Sequence, residues 1–217
     1  MTKIKRTVAT AFLLGLICAL GGARPSWPQQ ANSSDPDLTY QAMVGDPQTP
    51  VAGNPRGDLT IVEFFDYNCP FCIKAEPALE KLIAGDNGIR LVYKDWPIFG
   101  GGSIIAARMA LAANWQGKYE AVHNALLRTA SRKISADQIR VIAANAGADP
   151  ARLEADLQAH ARQIDAILAR TEKQAEKLGV PGTPVFLIGP LLIESAPDLE
   201  GFQKSVRDAR AKSQSIK

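Results

Sequence analysis

The stretch from Leu59 to Cys72 (LTIVEFFDYNCPFC) constrains the chain more than any other: a β-branched and aromatic run leads directly into two cysteines three positions apart. The run Leu59 to Phe65 has apolar residues on both faces, the pattern of a central strand covered on each side. After Cys69 the spacing becomes helical, with Ile73, Leu79, Leu82 and Ile83 on one side, Gly85 as a stop and Pro77 as a candidate kink. Cysteines at i and i+3 at the start of a helix lie almost one turn apart on one face, within the separation a disulfide tolerates.

That placement carries chemistry. At a helix N-terminus, unpaired backbone N–H groups and the helix dipole stabilise a thiolate, and Pro70 fits the first turn. A thiol of lowered pKa both attacks disulfides and leaves them readily, so Cys69 reads as the nucleophile and Cys72 as its resolving partner. A merely stapling disulfide is the competing reading, but so short a loop restrains the unfolded chain little. Zinc needs about four ligands, for which only His123 and His160 could join the cysteines, so no metal is expected. Both histidines sit in apolar settings and read as core or boundary residues.

Lys3, Lys5 and Arg6 precede an apolar run from Val8 to Leu20 and then small residues, so residues 1 to 23 read as a cleaved signal peptide. An uncleaved anchor competes, although the run is shorter than the roughly 20 apolar residues a spanning helix needs. Lipidation at Cys18 is a further reading, weakened by Ile17 where a small residue belongs. Cleavage leaves 22 basic against 22 acidic side chains, a balance that gives no electrostatic case for binding nucleic acid or anionic lipid. It also leaves Cys69 and Cys72 as the only cysteines, in a compartment where disulfides persist.

Residues 24 to 57 are rich in Pro, Gly, Asn, Ser and Asp and read as an extended arm with room for one short strand. Ile89 to Tyr93 is a second core strand. From about 103 to 178 the pattern is helical throughout: Ser103 is a candidate cap, Gly117 a break, Ser135 with Gln138 a capping box, and Asp149-Pro150 the start of one long helix ending at Gly179. Pro184 to Ile188 and Leu191 to Ile193 return to strands, and a last helix starts near Leu199. The order is that of an α/β layer fold interrupted by a helical insertion.

Glu63 is a carboxylate inside a strand buried on both sides, which is rare unless it is paired or functional. It could accept the proton of Cys72 through water, or pair with Lys94 on the adjacent strand. Gly182-Thr183-Pro184 makes a tight entry into an apolar strand, acceptable on structural grounds alone.

With VEFFDYNCPFC at 62–72, VYKDWPIFG at 92–100, QGKYEAVHNALL at 116–127 and GVPGTPVFLIG at 179–189 in this order, the chain resembles the DsbA-like thioredoxin-fold family of periplasmic thiol-disulfide oxidoreductases over roughly residues 46 to 205. The resemblance implies an α/β, thioredoxin-like fold with a helical insertion between the second and third core strands, spanning 58–217. It also implies catalysis by Cys69 and Cys72 with Glu63 as the acid beneath them. Pro184 would be a cis-proline facing the disulfide, and Thr183 would offer its backbone to an extended peptide, with Pro70 and Phe71 at the same substrate surface. No cofactor is expected beyond the Cys69–Cys72 disulfide itself. The expected partners are exported proteins or peptides and a membrane redox protein, acting on a monomer without stable membrane insertion. Thr183 before the proline resembles the isomerase and reductase branches, and Phe71, which offers the thiolate no hydrogen bond, points to a less oxidising protein. A peptide-binding or chaperone module of the same fold, with a dispensable cysteine pair, is the alternative.

Overall fold

A computed structural model of the chain describes residues 35–129 and 134–215. The expected signal peptide over 1–23, with Cys18, and the first residues of the expected arm lie outside them. A 3-10 turn (Pro36–Leu38) and a short helix α1 (Tyr40–Val44) precede strand β1 (Val51–Gly53). The core then runs β2 (Leu59–Phe65), α2 (Pro70–Gly85) and β3 (Ile89–Asp95). Helices α3 (Gly101–Asn114), α4 (Tyr119–Thr129), α5 (Ala136–Asn145), α6 (Pro150–Ala159) and α7 (Ala161–Leu178) form the insertion, and β4 (Val185–Ile188), β5 (Leu191–Ile193) and α8 (Leu199–Ser215) complete the chain.

The five strands form one mixed sheet in the order β1-β3-β2-β4-β5. Only β2 and β3 are parallel, joined by α2 as parallel neighbours require. Both edges are strands of three residues. Because side chains alternate across the pleat, every residue of β2 is buried, on one face or the other. Ile61 and Phe65 enter the larger core with Leu79 of α2, Leu126 of α4 and Phe202 of α8. Val62 and Phe64 enter a second core with Met43, Val44, Ala175 and Val180. This is the thioredoxin-like α/β fold, with its helical insertion between β3 and β4.

The arm is more than extended chain. It supplies β1, antiparallel to β3, and α1, which Thr39 caps through its hydroxyl. It is fastened to α7 by Lys173 to Asp37 at 2.8 Å, by Lys177 to Asp35 at 2.8 Å, and by the buried Gln174 amide donating to the Asp37 and Ala42 carbonyls at 3.1 and 3.0 Å.

In the insertion, Ser135 and Gln138 form the reciprocal capping box, and Asp149 caps α6 with Pro150 in its first turn. The single helix expected from Asp149 to Gly179 is two: the chain turns at His160, whose ring stacks on Trp115 at 4.0 Å between centroids. Gly179 ends α7 at φ 69, in the left-handed region. No atom lies within 4 Å of where its Cβ would stand, so Gly179→Ala should cost only the backbone term, about 1–2 kcal/mol, measurable by urea unfolding. Ser103 caps nothing: α3 begins at Gly101, and Ser103 points instead at Asp66.

Candidate active site

Cys69 is the N-cap of α2, with extended backbone (φ -77, ψ 116) and Pro70 in the first turn behind it. Both cysteines are thiols and both are buried. The Cys69 thiol donates to the Thr183 carbonyl at 3.1 Å, across 114 residues of sequence. Its pKa is lowered to about 6, first by a hydrogen bond from Cys72, against the cost of burial, and then by Thr183 and by the N–H groups of Cys72 and Phe71 at the open helix end. Cys72 moves the other way: burial, and then its bond to Cys69 and the charge of that sulfur, push its thiol far up. One sulfur is poised as thiolate and the other holds its proton.

The Thr183–Pro184 peptide bond is cis, and it closes one side of a groove of about 340 Å³ lined by Phe71, Pro181, Gly182, Thr183, Pro184 and Ala196. Phe71 is 60% exposed, and Ile98, Phe99, Ile104 and Ile105 are also exposed in the sequence from β3 into α3. These side chains leave apolar surface open to solvent.

Glu63 is fully buried on the face that β2 turns toward α2 and α4, and neither of its carboxylate oxygens has a hydrogen-bond partner. Burial, reinforced by the charges of Glu76 and Asp95, pushes its carboxyl well above the ordinary range. When ionised, Glu63 adds to the upward push on the Cys72 thiol, after burial and Cys69. Lys94 is not its partner. The register aligns Glu63 with Tyr93 and Phe64 with Lys94, so the alternation of the pleat puts Lys94 on the opposite face, where it feels Arg170 and Asp46.

Residues 60–207 match the family described as the DSBA-like thioredoxin domain. The chain belongs to that family. Its solved DsbA-like neighbours include a thioredoxin-like oxidoreductase from Silicibacter pomeroyi, 42% identical, with a TM-score of 0.74 over 80% of this chain and 98% of that one. The thiol-disulfide exchange protein alpha-DsbA2 of Wolbachia pipientis is 30% identical, with a TM-score of 0.73 over 78% and 91% of the two chains. A periplasmic thioredoxin-like protein from Salmonella enterica serovar Typhimurium, also 30% identical, has a TM-score of 0.71 over 79% and 95%. Curated relatives include the Na(+)/H(+) antiporter NhaA 3 of Salinispora tropica, 27% identical over 74% of this chain. The DsbA-like chain spans about a quarter of the length of the antiporters it matches, 24% in that case. Among the described residues no helix is long and apolar enough to cross a membrane.

Asp66 escaped the sequence reading of this DsbA-like site. It is 1% exposed and accepts three hydrogen bonds: from the Asn68 N–H at 2.6 Å, the Ser103 hydroxyl at 2.6 Å and the Phe99 N–H at 2.9 Å. It therefore ties the turn before Cys69 to the loop after β3 and the start of α3, while its backbone N–H bonds the Cys72 sulfur. An acid two residues before an amide, just past an apolar strand, is an Asx-turn signal and could have flagged it. Glu76, which nothing in the sequence singled out, is buried on α2, and His123 is buried on α4. His160 lies apart, at the α6–α7 turn.

Proposed function

We propose that this DsbA-like protein is a periplasmic thiol-disulfide oxidoreductase that exchanges disulfides with exported proteins through the Cys69-Pro70-Phe71-Cys72 motif. The observation that carries the reading is the split between the two sulfurs, with Cys69 lowered to about 6 at a helix N-terminus and Cys72 raised by burial beside it.

In the reducing direction the Cys69 thiolate attacks one sulfur of a client disulfide. A bond forms between Cys69 and that sulfur, and the other client sulfur leaves as a thiolate. Cys72 then gives up its proton and attacks Cys69, releasing the second client thiolate, so two electrons pass to the client and the motif closes to a disulfide. Oxidation is the same path reversed. Glu63, held neutral, exchanges protons with Cys72 through its ionised form. The Thr183 backbone, Pro184, Pro70 and Phe71 bind the client as an extended segment against the apolar groove. A membrane redox partner restores the working state, and the potential sets which direction the cell uses.

The reading is tested by the reduction potential of the pair in a glutathione buffer, with exchange assayed on a disulfide-bonded peptide. A stable, inert disulfide that no peptide exchanges with would leave a structural role only.

The titration of Cys69 gives a second check. The rate of attack on a model disulfide should rise as pH passes about 6 and then level off, with thiolate absorbance following the same curve. A rate still climbing toward 9.0, where an ordinary thiol titrates, would remove the activated nucleophile. The same shift makes stability depend on pH. Between about 6 and 9.0 the unfolded dithiol chain holds a proton on Cys69 that the folded chain lacks, so the dithiol form gains stability as pH rises through that window. The disulfide form, with no such group, should show no matching gain in urea midpoint.

A further inference from the structure

Glu63 on β2, Glu76 on α2 and His123 on α4 converge beneath the cysteine helix, each offering one ligand atom within 4.8 Å of the other two. Among them Glu63 Oε1 and Oε2, Glu76 Oε2 and His123 Nε2 are buried without a hydrogen-bond partner. Two carboxylates side by side in a core repel, and each lacks the bonds that normally compensate burial. A divalent cation removes both penalties at once.

We propose that these three side chains form a buried Zn2+ site. Atoms no more than 4.8 Å apart fit within about 2.8 Å of a common centre (4.8 Å over √3), against zinc bonds of about 2.0–2.2 Å, so sub-ångström side-chain shifts close it. The His123 Nε2 to Glu76 Oε1 distance, 3.6 Å, is already near the edge of a zinc tetrahedron, about 3.4 Å. Carboxylate and imidazole donors together suit zinc, with water as the fourth ligand.

The surroundings fit a ligating histidine. His123 Nδ1 lies 3.1 Å from the Tyr67 hydroxyl, and the Tyr119 hydroxyl donates to Asp95 at 2.7 Å nearby. With Nδ1–H donating to Tyr67, Nε2 turns its lone pair toward the two glutamates, the arrangement that orients histidines at metal centres. A way in exists: a cavity of about 270 Å³, open to solvent and bordered by Glu76, Glu80, Glu120, Asn124 and Tyr93, leads to Glu76 from the side away from the thiols. Glu76 and Glu120 on its rim attract cations, while Glu80 is paired with Arg128 at 2.7 Å. The sequence led to the expectation of no metal, because β2, α2 and α4 meet only in the fold.

The site shares Glu63 with the exchange reading, since a Glu63 that ligates Zn2+ carries no proton for Cys72, so the metal is tested in a chain without the thiols. The full-length chain with Cys18, Cys69 and Cys72 all replaced by serine, which removes every thiol ligand, is titrated with ZnCl2 by calorimetry and with Co2+ by visible absorption. One ion per chain is expected, with Co2+ d–d bands and no thiolate charge-transfer band. In that background Glu76→Gln and His123→Gln should each weaken binding at least about tenfold. If His123→Gln does not fold, Glu76→Gln, at the cavity edge, decides the matter alone. Absence of stoichiometric binding, or an affinity unchanged by Glu76→Gln, overturns the site, the second outcome meaning that zinc sits adventitiously on the surface. Loss of binding seen only on removing the cysteines overturns it too, while the exchange reading fails instead if Cys69→Ser keeps its turnover.

Discussion

Cys69→Ser should abolish disulfide exchange, lowering turnover of a disulfide-bonded peptide by at least about a thousandfold to the uncatalysed background, with the fold unchanged. A hydroxyl at the same helix end forms no sulfur–sulfur bond, so no mixed disulfide can arise, whatever the client. Cys72→Ser should behave differently. Cys69 keeps its place at the helix N-terminus, so attack continues, but nothing resolves the intermediate and the protein accumulates covalently joined to its client. Non-reducing electrophoresis separates the cases: no adduct for Cys69→Ser, and a stable adduct for Cys72→Ser. Equal adduct with both variants would show that the two sulfurs are interchangeable, and the division of roles drawn from their opposite shifts would be lost.

The second large effect is on stability. Asp66→Ala should lower the unfolding free energy by about 3–5 kcal/mol, because it strips the partner from a buried hydroxyl and two backbone N–H groups at one stroke. Asp66→Asn should recover part of this, since an amide oxygen still accepts. Urea midpoints of the two variants check the ordering; a loss below about 1 kcal/mol for the alanine form would mean that water replaces the carboxylate. The loop from Trp96 to Gly100 and the turn before Cys69 are held by the same carboxylate, so the alanine variant should also shift the Cys69 titration.

Where local chemistry decides the structure, the sequence was readable. LTIVEFF is β2 to the residue, the Ser135 box and the Asp149-Pro150 start are in place, and the strand-to-helix switch at Cys69 falls where Pro70 and the change of period put it. Reading fails where distant elements decide. Leu153, Leu157, Ile164 and Ile167 keep one helical period through His160, and no Gly or Pro marks the break, which depends on Trp115 of another element. Thr39 and Gln174 give the arm its order, but only when α7 lies against it. Lys94 looked like a partner for Glu63 because both lie mid-strand, and a register of one residue sends them to opposite faces. In the site, the cysteines announce themselves by motif and Thr183-Pro184 only through the family resemblance, whereas Asp66, Glu76 and His123 are single polar letters with no motif around them.

The two edges of the sheet bear on how such a protein survives its own work. Partners that need disulfide exchange arrive partly unfolded, with strands whose N–H and C=O groups are still seeking a ladder. A long bare edge would invite them to stack on and seed aggregates. Here β1 and β5 each offer only three residues, and the fastened arm leads straight into β1. A visiting chain therefore finds little edge to zip onto.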